Sequence, residues 1–405
     1  MEQIKLNHYT GEINQEIRIT GSKSESNRLL ILQQRYPNLK IENLSNSDDS
    51  NLMLKALASK EGVINIGHAG TTMRFLTSLL ATKEGSDVIL TGSGRMKERP
   101  IGILVDALRT LGADITYVEN DGFAPLRIKG TKLKGGAVRI NGNVSSQYIS
   151  SLLLVAPSLE QGITLTFEGA ITSVPYIQMT LGLLNELGIE SSFEGQVIRV
   201  QPKERIADTL VTVESDWSSA SYYYSLVALS ESGKISLSAY KEKSLQGDAV
   251  LELLYRQFGV KSTFVNNTLT LEKETGFENP SLVEFDLIKA PDIAQTIAVT
   301  CFGMGIACNL TGLHTLKIKE TDRLVALEQE LTKLGADIRV TNESLHLEAA
   351  TKINKDVVIA TYQDHRMAMA FAPLLLKTSI LIDEYKVVSK SYPTFWDDFS
   401  NFQTN

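Results

Sequence analysis

Lysine, arginine and small hydroxyl side chains recur where a predicted strand leads into a predicted helix. The first cluster is Gly-Ser-Lys-Ser at residues 21–24. The later clusters are centred on Thr71, Ser146, Ser219, Asp292 and His365. Free backbone N–H groups at the start of a helix attract an anion. Because cations and hydroxyl groups stand at the same points, the clusters predict several sites for small anions that can face one space.

The clusters follow one another at a nearly constant interval. From Thr71 onwards the steps are 75, 73, 73 and 73 residues, whereas the first step, from Ser24, is 47. Such a period indicates one supersecondary unit used repeatedly. Predicted helices also end at glycines, the usual residue after a helix. These are Gly112, Gly188, Gly259 and Gly335. A hairpin is predicted after each, for example with strands at 116–118 and 126–129, or at 338–340 and 345–348.

The period predicts an α/β protein with two domains, each of three repeats of about 73 residues. The first domain is predicted at 20–214, and the second, discontinuous domain at 1–19 and 215–405. The short first step indicates a split repeat. We expect its strands from residues 1–19 and its helix from the cluster at His365.

The composition favours a soluble globular protein that handles a small molecule. Apolar residues make up 43% of the chain and charged residues 21%, and the net charge is −7. A negative surface disfavours nucleic acid and anionic membranes as partners. The amino terminus has no apolar core of a signal peptide, and the apolar stretch at 367–376 is too short to cross a bilayer. We therefore expect a cytoplasmic protein.

The cysteines and histidines give no sign of a metal site or a cofactor. The five histidines show no spacing typical of metal ligands. Cys301 and Cys308 lie in an apolar segment predicted to be helical, where seven residues span ~10 Å. That distance is too long for a disulfide bond. Both cysteines are therefore predicted to be packing residues, with no metal and no cofactor.

Each charged motif also has an ordinary structural interpretation. Serines at a helix start can simply cap it, and Lys97 and Glu98 are typical of a solvated face. Arg95 and Arg99 could share a helical face. Lys319 and Arg323 are predicted on one face of the helix that ends at Leu334, where they repel unless an anion lies between them. The tyrosine run 222–224 favours core packing.

Taken together, the motifs resemble the 5-enolpyruvylshikimate-3-phosphate (EPSP) synthase family. They stand in the family's order from Gly21 to Phe395. The six are Gly-Ser-Lys-Ser-x-Ser-Asn-Arg, Ala-Gly-Thr-Thr-Met-Arg, Arg-Met-x-x-Arg-Pro-Ile, Ser-Ser-Gln, Lys-Glu-Thr-Asp-Arg and Asp-His-Arg-Met-Ala-Met. The resemblance implies two three-repeat domains that close around shikimate 3-phosphate and phosphoenolpyruvate. It also implies transfer of the enolpyruvyl group to the 5-hydroxyl with release of phosphate, in the pathway to chorismate, by a monomer.

The resemblance further implies the residues of the site. Those for shikimate 3-phosphate are Lys23, Ser24, Arg28, Ser145, Ser146, Gln147, Ser173, Tyr176, Asp292 and Lys319. Those for phosphoenolpyruvate are Lys23, Gly70, Arg99, Gln147, Arg323, Arg366 and Lys390. Arginine forks suit phosphate and carboxylate groups. Asp292 is expected to take the hydroxyl proton, Glu320 to protonate carbon, and Lys23 to stabilise the leaving phosphate.

The chain departs from the family pattern at a few positions near these motifs. Thr20, His68, Phe75 and Thr315 replace residues that are frequent in relatives. Two alternatives remain at this point. One is the related transferase acting on UDP-N-acetylglucosamine, although its loop cysteine has no counterpart here. The other is a non-catalytic anion-binding protein that kept the fold.

Overall fold

Two compact units divide the chain. The structure is a computed structural model that describes residues 2–59, 62–171 and 174–403. One unit comprises Met1–Thr20 and Glu214–Asn405, and the other comprises Gly21–Val213. Helices and mixed sheets alternate through both units, so the predicted α/β class is confirmed. That each unit is a domain with the boundaries expected from the repeats stays a prediction.

The described residues form short strands and helices in regular succession. The strands are β1 (Gln3–Leu6), β2 (Ile13–Ile17), β3 (Leu39–Glu42), β4 (Val63–Asn65), β5 (Asp87–Thr91), β6 (Asp114–Tyr117), β7 (Leu126–Lys129), β8 (Gly136–Asn141), β9 (Ile163–Glu168), β10 (Ser191–Glu194), β11 (Val197–Val200), β12 (Thr209–Thr212), β13 (Gly233–Ser238), β14 (Val260–Val265), β15 (Thr268–Lys273), β16 (Leu282–Asp286), β17 (Ala307–Thr311), β18 (Ile338–Val340), β19 (Leu345–Leu347), β20 (Val357–Ile359) and β21 (Ile380–Asp383). The α-helices are α1 (Lys23–Arg35), α2 (Asp48–Ala58), α3 (Gly70–Ala81), α4 (Gly94–Lys97), α5 (Gly102–Thr110), α6 (Ser146–Val155), α7 (Val174–Glu186), α8 (Trp217–Leu229), α9 (Leu251–Tyr255), α10 (Ala294–Met304), α11 (Arg323–Leu334), α12 (His365–Phe371) and α13 (Phe395–Phe399).

Four of the sheets share one plan. Two neighbouring strands are parallel, and a hairpin adds two antiparallel strands beside the second of them. Their orders are β4-β5-β7-β6, β8-β9-β11-β10, β2-β13-β15-β14 and β16-β17-β19-β18. A fifth sheet, β20-β21-β1, has a single antiparallel strand, and β3 and β12 form a parallel pair. Recurrence of one topology agrees with the repeat expected from the spacing of the clusters.

Where the chain passes between the two units, strands that are distant in the sequence pair with each other. β2 leads through α1 into β3, and β12 leads through α8 into β13. Yet β2 pairs with β13, from Gly233↔Ile13 to Leu237↔Ile17, and β12 pairs with β3. The expected split repeat is therefore only partly right. β1 does join the sheet of the His365 repeat, but β2 belongs to the repeat of α8.

Six buried helices begin at the six polar clusters. They are α1, α3 and α6 in the unit Gly21–Val213, and α8, α10 and α12 in the other unit. All thirteen residues of α8, with the predicted tyrosine run, are buried. Hydroxyl groups join neighbouring helices one repeat apart, as in Ser78 with Ser151 (2.6 Å) and Ser225 with Thr300 (2.8 Å). Each cluster is thus fixed at the end of a packed helix.

Local boundaries follow the glycine series but differ in detail. Gly112, Gly188, Gly259 and Gly335 all have positive φ, as the predicted helix ends require. The prediction of one helix across both cysteines is wrong. Cys301 lies on α10, which ends at the left-handed Gly305, and Cys308 lies on β17. Both side chains are fully buried free thiols.

Among the described residues, no helix has the length and apolar character needed to cross a membrane.

Candidate active site

The start of α1 exposes cationic and hydroxyl groups in the unit Gly21–Val213. Lys23 and Ser24 occupy the first turn, and both are partly buried. No side chain caps this turn, so its backbone N–H groups keep their capacity to bind an anion. No ion pair among the described residues involves Lys23. These features match the anion site that the sequence predicts here.

Arg28 lies one turn further along α1 and is only 3% exposed. Its guanidinium donates to Thr180 Oγ1 (2.8 Å), Ser150 Oγ (2.9 Å) and the backbone oxygens of Ser24 (2.8 Å) and Tyr176 (3.3 Å). These acceptors are all neutral, and burial lowers the pKa of Arg28 to about 10. A buried cation with neutral acceptors leaves a positive charge that an anion can offset.

Arg99 covers the start of α3. A β-carbon placed on Gly70 would lie 2.5 Å from Arg99 Nη1, so the guanidinium rests directly on this glycine. Beneath it, Arg74 is buried and donates to the backbone oxygens of Gly70 (3.2 Å) and Pro100 (3.1 Å). Burial first, and Arg99 second, lower the pKa of Arg74. Two neighbouring cations at one helix start make this a strong anion site.

The start of α6 contributes polar groups to the same unit. Ser145 caps the helix by accepting from the N–H of Gln147 at 3.3 Å. The Gln147 amide donates to Thr71 Oγ1 at 3.2 Å, which links the starts of α6 and α3. Ser146 opens α6 and is partly buried. The Tyr176 ring lies 6.0 Å from the Arg28 guanidinium carbon. Ser173 lies outside the described residues.

In the other unit, Arg323 is the centre of a cluster of carboxylates. Its side chain is 2% exposed. Nε donates to Asp364 Oδ2 (2.6 Å), Nη1 to Asp292 Oδ1 (2.8 Å) and Nη2 to Glu320 Oε2 (2.9 Å). Although burial lowers the pKa of Arg323, the three carboxylates raise it overall. Arg323 therefore stays ionised.

Asp292 receives three cations. Besides Arg323, Lys319 Nζ lies 3.2 Å from its Oδ1 and Arg366 Nη2 lies 3.4 Å from its Oδ2. Burial alone would raise the pKa of Asp292, but Lys319, Arg366 and Arg323 hold it well below the usual range. Lys319 precedes α11, so the prediction that Lys319 and Arg323 lie on one face of that helix is wrong. The two cations instead share one carboxylate.

Arg366 connects Asp292 to a second carboxylate that the sequence did not indicate. Its Nη2 donates to Ser218 Oγ (3.2 Å), which in turn donates to Asp248 Oδ2. Burial and the charge of Asp292 raise the pKa of Asp248 to about 6. Ser218 belongs to a cluster that the repeat spacing marks, whereas nothing in the local sequence singled out Asp248.

The start of α12 positions the remaining cations. Asp364 caps this helix by accepting from the Arg366 N–H (2.8 Å) while its other oxygen binds Arg323. His365 is 4% exposed, and burial lowers its pKa to about 3. Lys390 donates to the backbone oxygen of Gln363 at 2.9 Å. Lys390 is thus drawn to the turn before α12.

In each unit, the residues predicted for the site lie at or beside the starts of helices. Lys23, Arg28, Gly70 and Gln147 stand at the starts of α1, α3 and α6, with Arg99 against Gly70. Arg95 lies in α4 and pairs with Glu98, whereas Arg99 follows the end of α4 at Lys97, so a common helical face for the two arginines stays a prediction. In the described parts of the chain, no three His, Cys, Asp or Glu residues are arranged to hold a metal ion.

Five of the six motifs, all but the one at residues 21–28, lie within a match to a known family. Residues 57–399 match the family described as EPSP synthase (3-phosphoshikimate 1-carboxyvinyltransferase). The chain belongs to the EPSP synthase family. A 3-phosphoshikimate 1-carboxyvinyltransferase from Bacteroides fragilis is 44% identical over 395 residues, which cover 96% of this chain and 95% of that protein. One from Histophilus somni is 35% identical, with both chains fully covered.

Solved EPSP synthases have the same fold. A structure from Acinetobacter baumannii aligns with a TM-score of 0.80 and 21% identity, and covers 100% of this chain and 98% of its own. A second structure from that organism aligns with a TM-score of 0.79 at 20% identity. The predicted two-domain fold of the EPSP synthase family is thereby confirmed.

Proposed function

We propose that this EPSP synthase family member transfers the 1-carboxyvinyl group of phosphoenolpyruvate to the 5-hydroxyl of shikimate 3-phosphate and releases phosphate. The observation that carries the proposal is the convergence of Lys319, Arg323 and Arg366 on Asp292. This cluster combines a proton acceptor with cations suited to phosphate and carboxylate groups. The names of the relatives indicate the same substrates.

Shikimate 3-phosphate is assigned to the hydroxyl-rich helix starts. The residues that we assign to it are Lys23, Ser24, Arg28, Ser145, Ser146, Gln147, Ser173, Tyr176, Asp292 and Lys319. Helix N–H groups and Lys23 suit the 3-phosphate. Arg28 has its donors committed to neutral acceptors, so we assign it an electrostatic role together with support for Tyr176.

Phosphoenolpyruvate is assigned to the arginine-rich positions. The contacts come from Lys23, Gly70, Arg99, Gln147, Arg323, Arg366 and Lys390. Arg99 is the most available of these arginines, because its guanidinium is exposed and no ion pair among the described residues involves it. Gly70 lets a ligand approach the start of α3 closely. The substrate's carboxylate and phosphate are both groups that arginine and lysine bind well.

The reaction requires two proton transfers that carboxylates can perform. The 5-hydroxyl oxygen bonds to C2 of the enol and its proton passes to Asp292. C3 gains a proton from Glu320, which gives a tetrahedral intermediate. In the second step the C2–O bond to phosphate breaks, C3 returns its proton to Glu320, and the proton held by Asp292 passes to the phosphate that leaves, which Lys23 stabilises. No cofactor or metal takes part in this proposal.

Substrate binding would make Asp292 a stronger base. In the structure its pKa is held low by Lys319, Arg366 and Arg323, so it accepts a proton poorly. A phosphate or carboxylate group that draws Arg366 or Lys319 away removes one of these causes. The pKa of Asp292 then rises towards that expected from its burial. Binding of the anions therefore prepares the base that the first step needs.

The transferase for UDP-N-acetylglucosamine is not favoured. Cys301 and Cys308 are fully buried in the unit core, and burial raises the pKa of Cys301 well above its usual value. Neither thiol can serve as an exposed loop cysteine. A non-catalytic role is not favoured either, since Asp292 and Glu320 both remain beside Arg323. We further propose that the protein is a cytoplasmic monomer whose two units are its domains.

Phosphate release from phosphoenolpyruvate tests the proposal. We expect release only when shikimate 3-phosphate is also present. Release should continue when a chelator is added and should need no nucleotide. Asp292→Asn should lower kcat by about 100-fold or more, the usual range for loss of a general base. The matched control is Asp337→Asn, an exposed aspartate of the same unit, which should leave kcat unchanged. Release with UDP-N-acetylglucosamine instead, or a requirement for ATP, contradicts the proposal.

A further inference from the structure

A cavity of about 640 Å³ opens in the unit Gly21–Val213 at the carboxyl-terminal ends of its central helices. Arg35 of α1, Leu80 of α3 and Leu154 of α6 all line it. The same three helices carry the predicted substrate residues at their opposite ends. A helix of 12 or 13 residues is ~20 Å long, so the cavity is separate from the candidate active site.

Buried apolar side chains form about half of the cavity wall, and polar side chains form the rest. Ile31, Leu76, Leu80, Leu154 and Leu159 line it, and each is at most 6% exposed over its whole surface. A volume of this size, with apolar side chains that a ligand can contact, is typical of sites for small organic ligands. The body of a ligand that fits this cavity is therefore apolar.

The helix ends around the cavity have few acceptors left to offer. The oxygen of Leu79 accepts from Thr82 Oγ1 (2.8 Å), that of Leu80 from Ser86 Oγ (3.2 Å) and that of Val155 from Ser158 Oγ (2.6 Å). The oxygen of Ala81 accepts from the N–H of Thr131 at 3.0 Å. Because local donors already satisfy these carbonyls, the cavity does not select a cationic or hydrogen-bond-donating ligand.

The rim instead offers positive charge. Arg35 and Lys83 are exposed, and no ion pair among the described residues involves either. Asp87 at the rim is paired with Arg127 (2.9 Å), and Lys132 with Glu160 (2.8 Å). Glu84 is a further carboxylate of the lining, and its charge acts on Lys132. The balance favours a ligand with a single negative charge.

The corresponding helix ends of the other unit surround a smaller cavity with a different lining. A cavity of about 320 Å³ lies at the ends of α8 and α10. There Lys273 of the chain itself donates to the backbone oxygens of Ala228 (2.9 Å) and Phe258 (2.8 Å). The fold therefore does not require an open apolar cavity at this place, and the larger one is a property of the unit Gly21–Val213.

We infer that this cavity binds a small monocarboxylate with an apolar body, which lies against Leu76, Leu80 and Leu154 with its carboxylate at Arg35 and Lys83. Binding here goes beyond the proposed enzymatic activity. It needs neither shikimate 3-phosphate nor phosphoenolpyruvate.

Titration calorimetry of the whole protein with 1-naphthoate tests the inference, with neutral 1-naphthamide as the comparison ligand. We expect one naphthoate per chain and weaker binding of the amide. Leu79→Trp, at a partly exposed lining residue, should fill the cavity and abolish binding. Arg35→Met and Lys83→Met should each weaken binding about two- to fivefold, as for partly exposed ion pairs. Lys55→Met, at an exposed lysine of α2 outside the cavity, is the matched control and should leave binding unchanged.

Several outcomes would overturn the inference. One is no binding to the wild type, and another is equal binding of naphthoate and its amide. A third is unchanged binding by Lys83→Met and Arg35→Met, two variants at exposed positions that should fold like the wild type. Loss of binding in Lys23→Ala, or displacement by shikimate 3-phosphate, would place the probe in the candidate active site and also overturn it. Turnover without the probe is measured separately, so failure of the proposed function is distinguished from failure of this inference.

Discussion

Arg99 rests its guanidinium on the α-carbon of Gly70. A β-carbon there would lie 2.5 Å from Nη1 and 3.2 Å from Cζ of Arg99. The crowded atoms belong to the end of a flexible side chain, so the helix can stay intact while the arginine moves. Gly70 therefore sets the position of a cation assigned to phosphoenolpyruvate.

Replacing Gly70 by alanine should displace Arg99 and weaken ligands of the phosphoenolpyruvate site. We expect glyphosate, which is a family inhibitor, to compete with phosphoenolpyruvate in the wild type. In Gly70→Ala its inhibition constant should rise about tenfold, a change of ~1.4 kcal/mol. Steady-state inhibition kinetics measure this. Gly94→Ala is the control, because nothing lies within 4 Å of a β-carbon there. Equal inhibition constants in all three proteins would refute the role of Gly70.

Removing Arg323 should destabilise the unit that contains it. Arg323→Ala leaves the carboxylate of Asp364, which is 0% exposed, without its cation. Loss of one partner of a buried ion pair costs about 3–5 kcal/mol. Urea unfolding monitored by circular dichroism measures the change. Arg339→Ala, at an exposed arginine of β18, should cost far less.

The same cluster allows a double-mutant test. If an uncompensated charge causes the loss, adding Asp364→Asn to Arg323→Ala should recover part of the stability. The amide keeps an acceptor for the N–H of Arg366, so α12 remains capped. Additive losses in the double variant would show that Arg323 and Asp364 do not act as a pair.

His365 should make stability fall as the solution becomes more acidic. Burial lowers its pKa from 6.5 to about 3, so below pH 6.5 the unfolded chain binds a proton that the folded protein excludes. The stability is complete above pH 6.5 and is lost towards pH 3, at up to ~1.4 kcal/mol per pH unit. Urea unfolding of His365→Gln across this range should show a smaller slope, with exposed His8→Gln as control. Parallel curves for His365→Gln and the wild type would contradict this.

Titration of Asp248 should change the stability in the opposite direction, so that stability falls as the pH rises. Its pKa is raised from 3.8 to about 6, by burial and by Asp292, so the folded protein holds the proton more tightly. Its contribution is present below pH 3.8 and is lost as the pH rises to 6. Asp248→Asn should therefore gain about 2 kcal/mol relative to the wild type between pH 4 and 7. The control is Asp337→Asn. A constant difference over this range would show that Asp248 does not titrate as stated.

The helix starts could be predicted because their causes are local. Glycines with positive φ end the helices, and capping residues such as Ser145 and Asp364 begin them. The repeat spacing then predicted that α1, α3 and α6 have the same role, although no contact between them was known. Boundaries were less accurate, as in the strand predicted at 116–118, which the structure places at Asp114–Tyr117.

The contacts within the candidate site depend on loops and on long-range packing. Lys319 reaches Asp292 because residues 319–322, directly before α11, are not helical, which charge spacing cannot reveal. Asp248 meets Ser218 across 30 residues, and Ser218 meets Arg366 across 148. No local pattern encodes such pairings, so Asp248 could not be predicted as a member of the network.

The pairing of the first strands of the chain with much later strands also affects the order in which the chain can fold during synthesis. Every strand of the unit Gly21–Val213 pairs within that continuous segment. β1 must wait for β21, whose first residue is synthesised 374 positions after Leu6. At ~5–20 residues per second the delay is about 20–75 s. The inserted unit can therefore finish its sheets on the ribosome while the first strands of the chain still lack their partners.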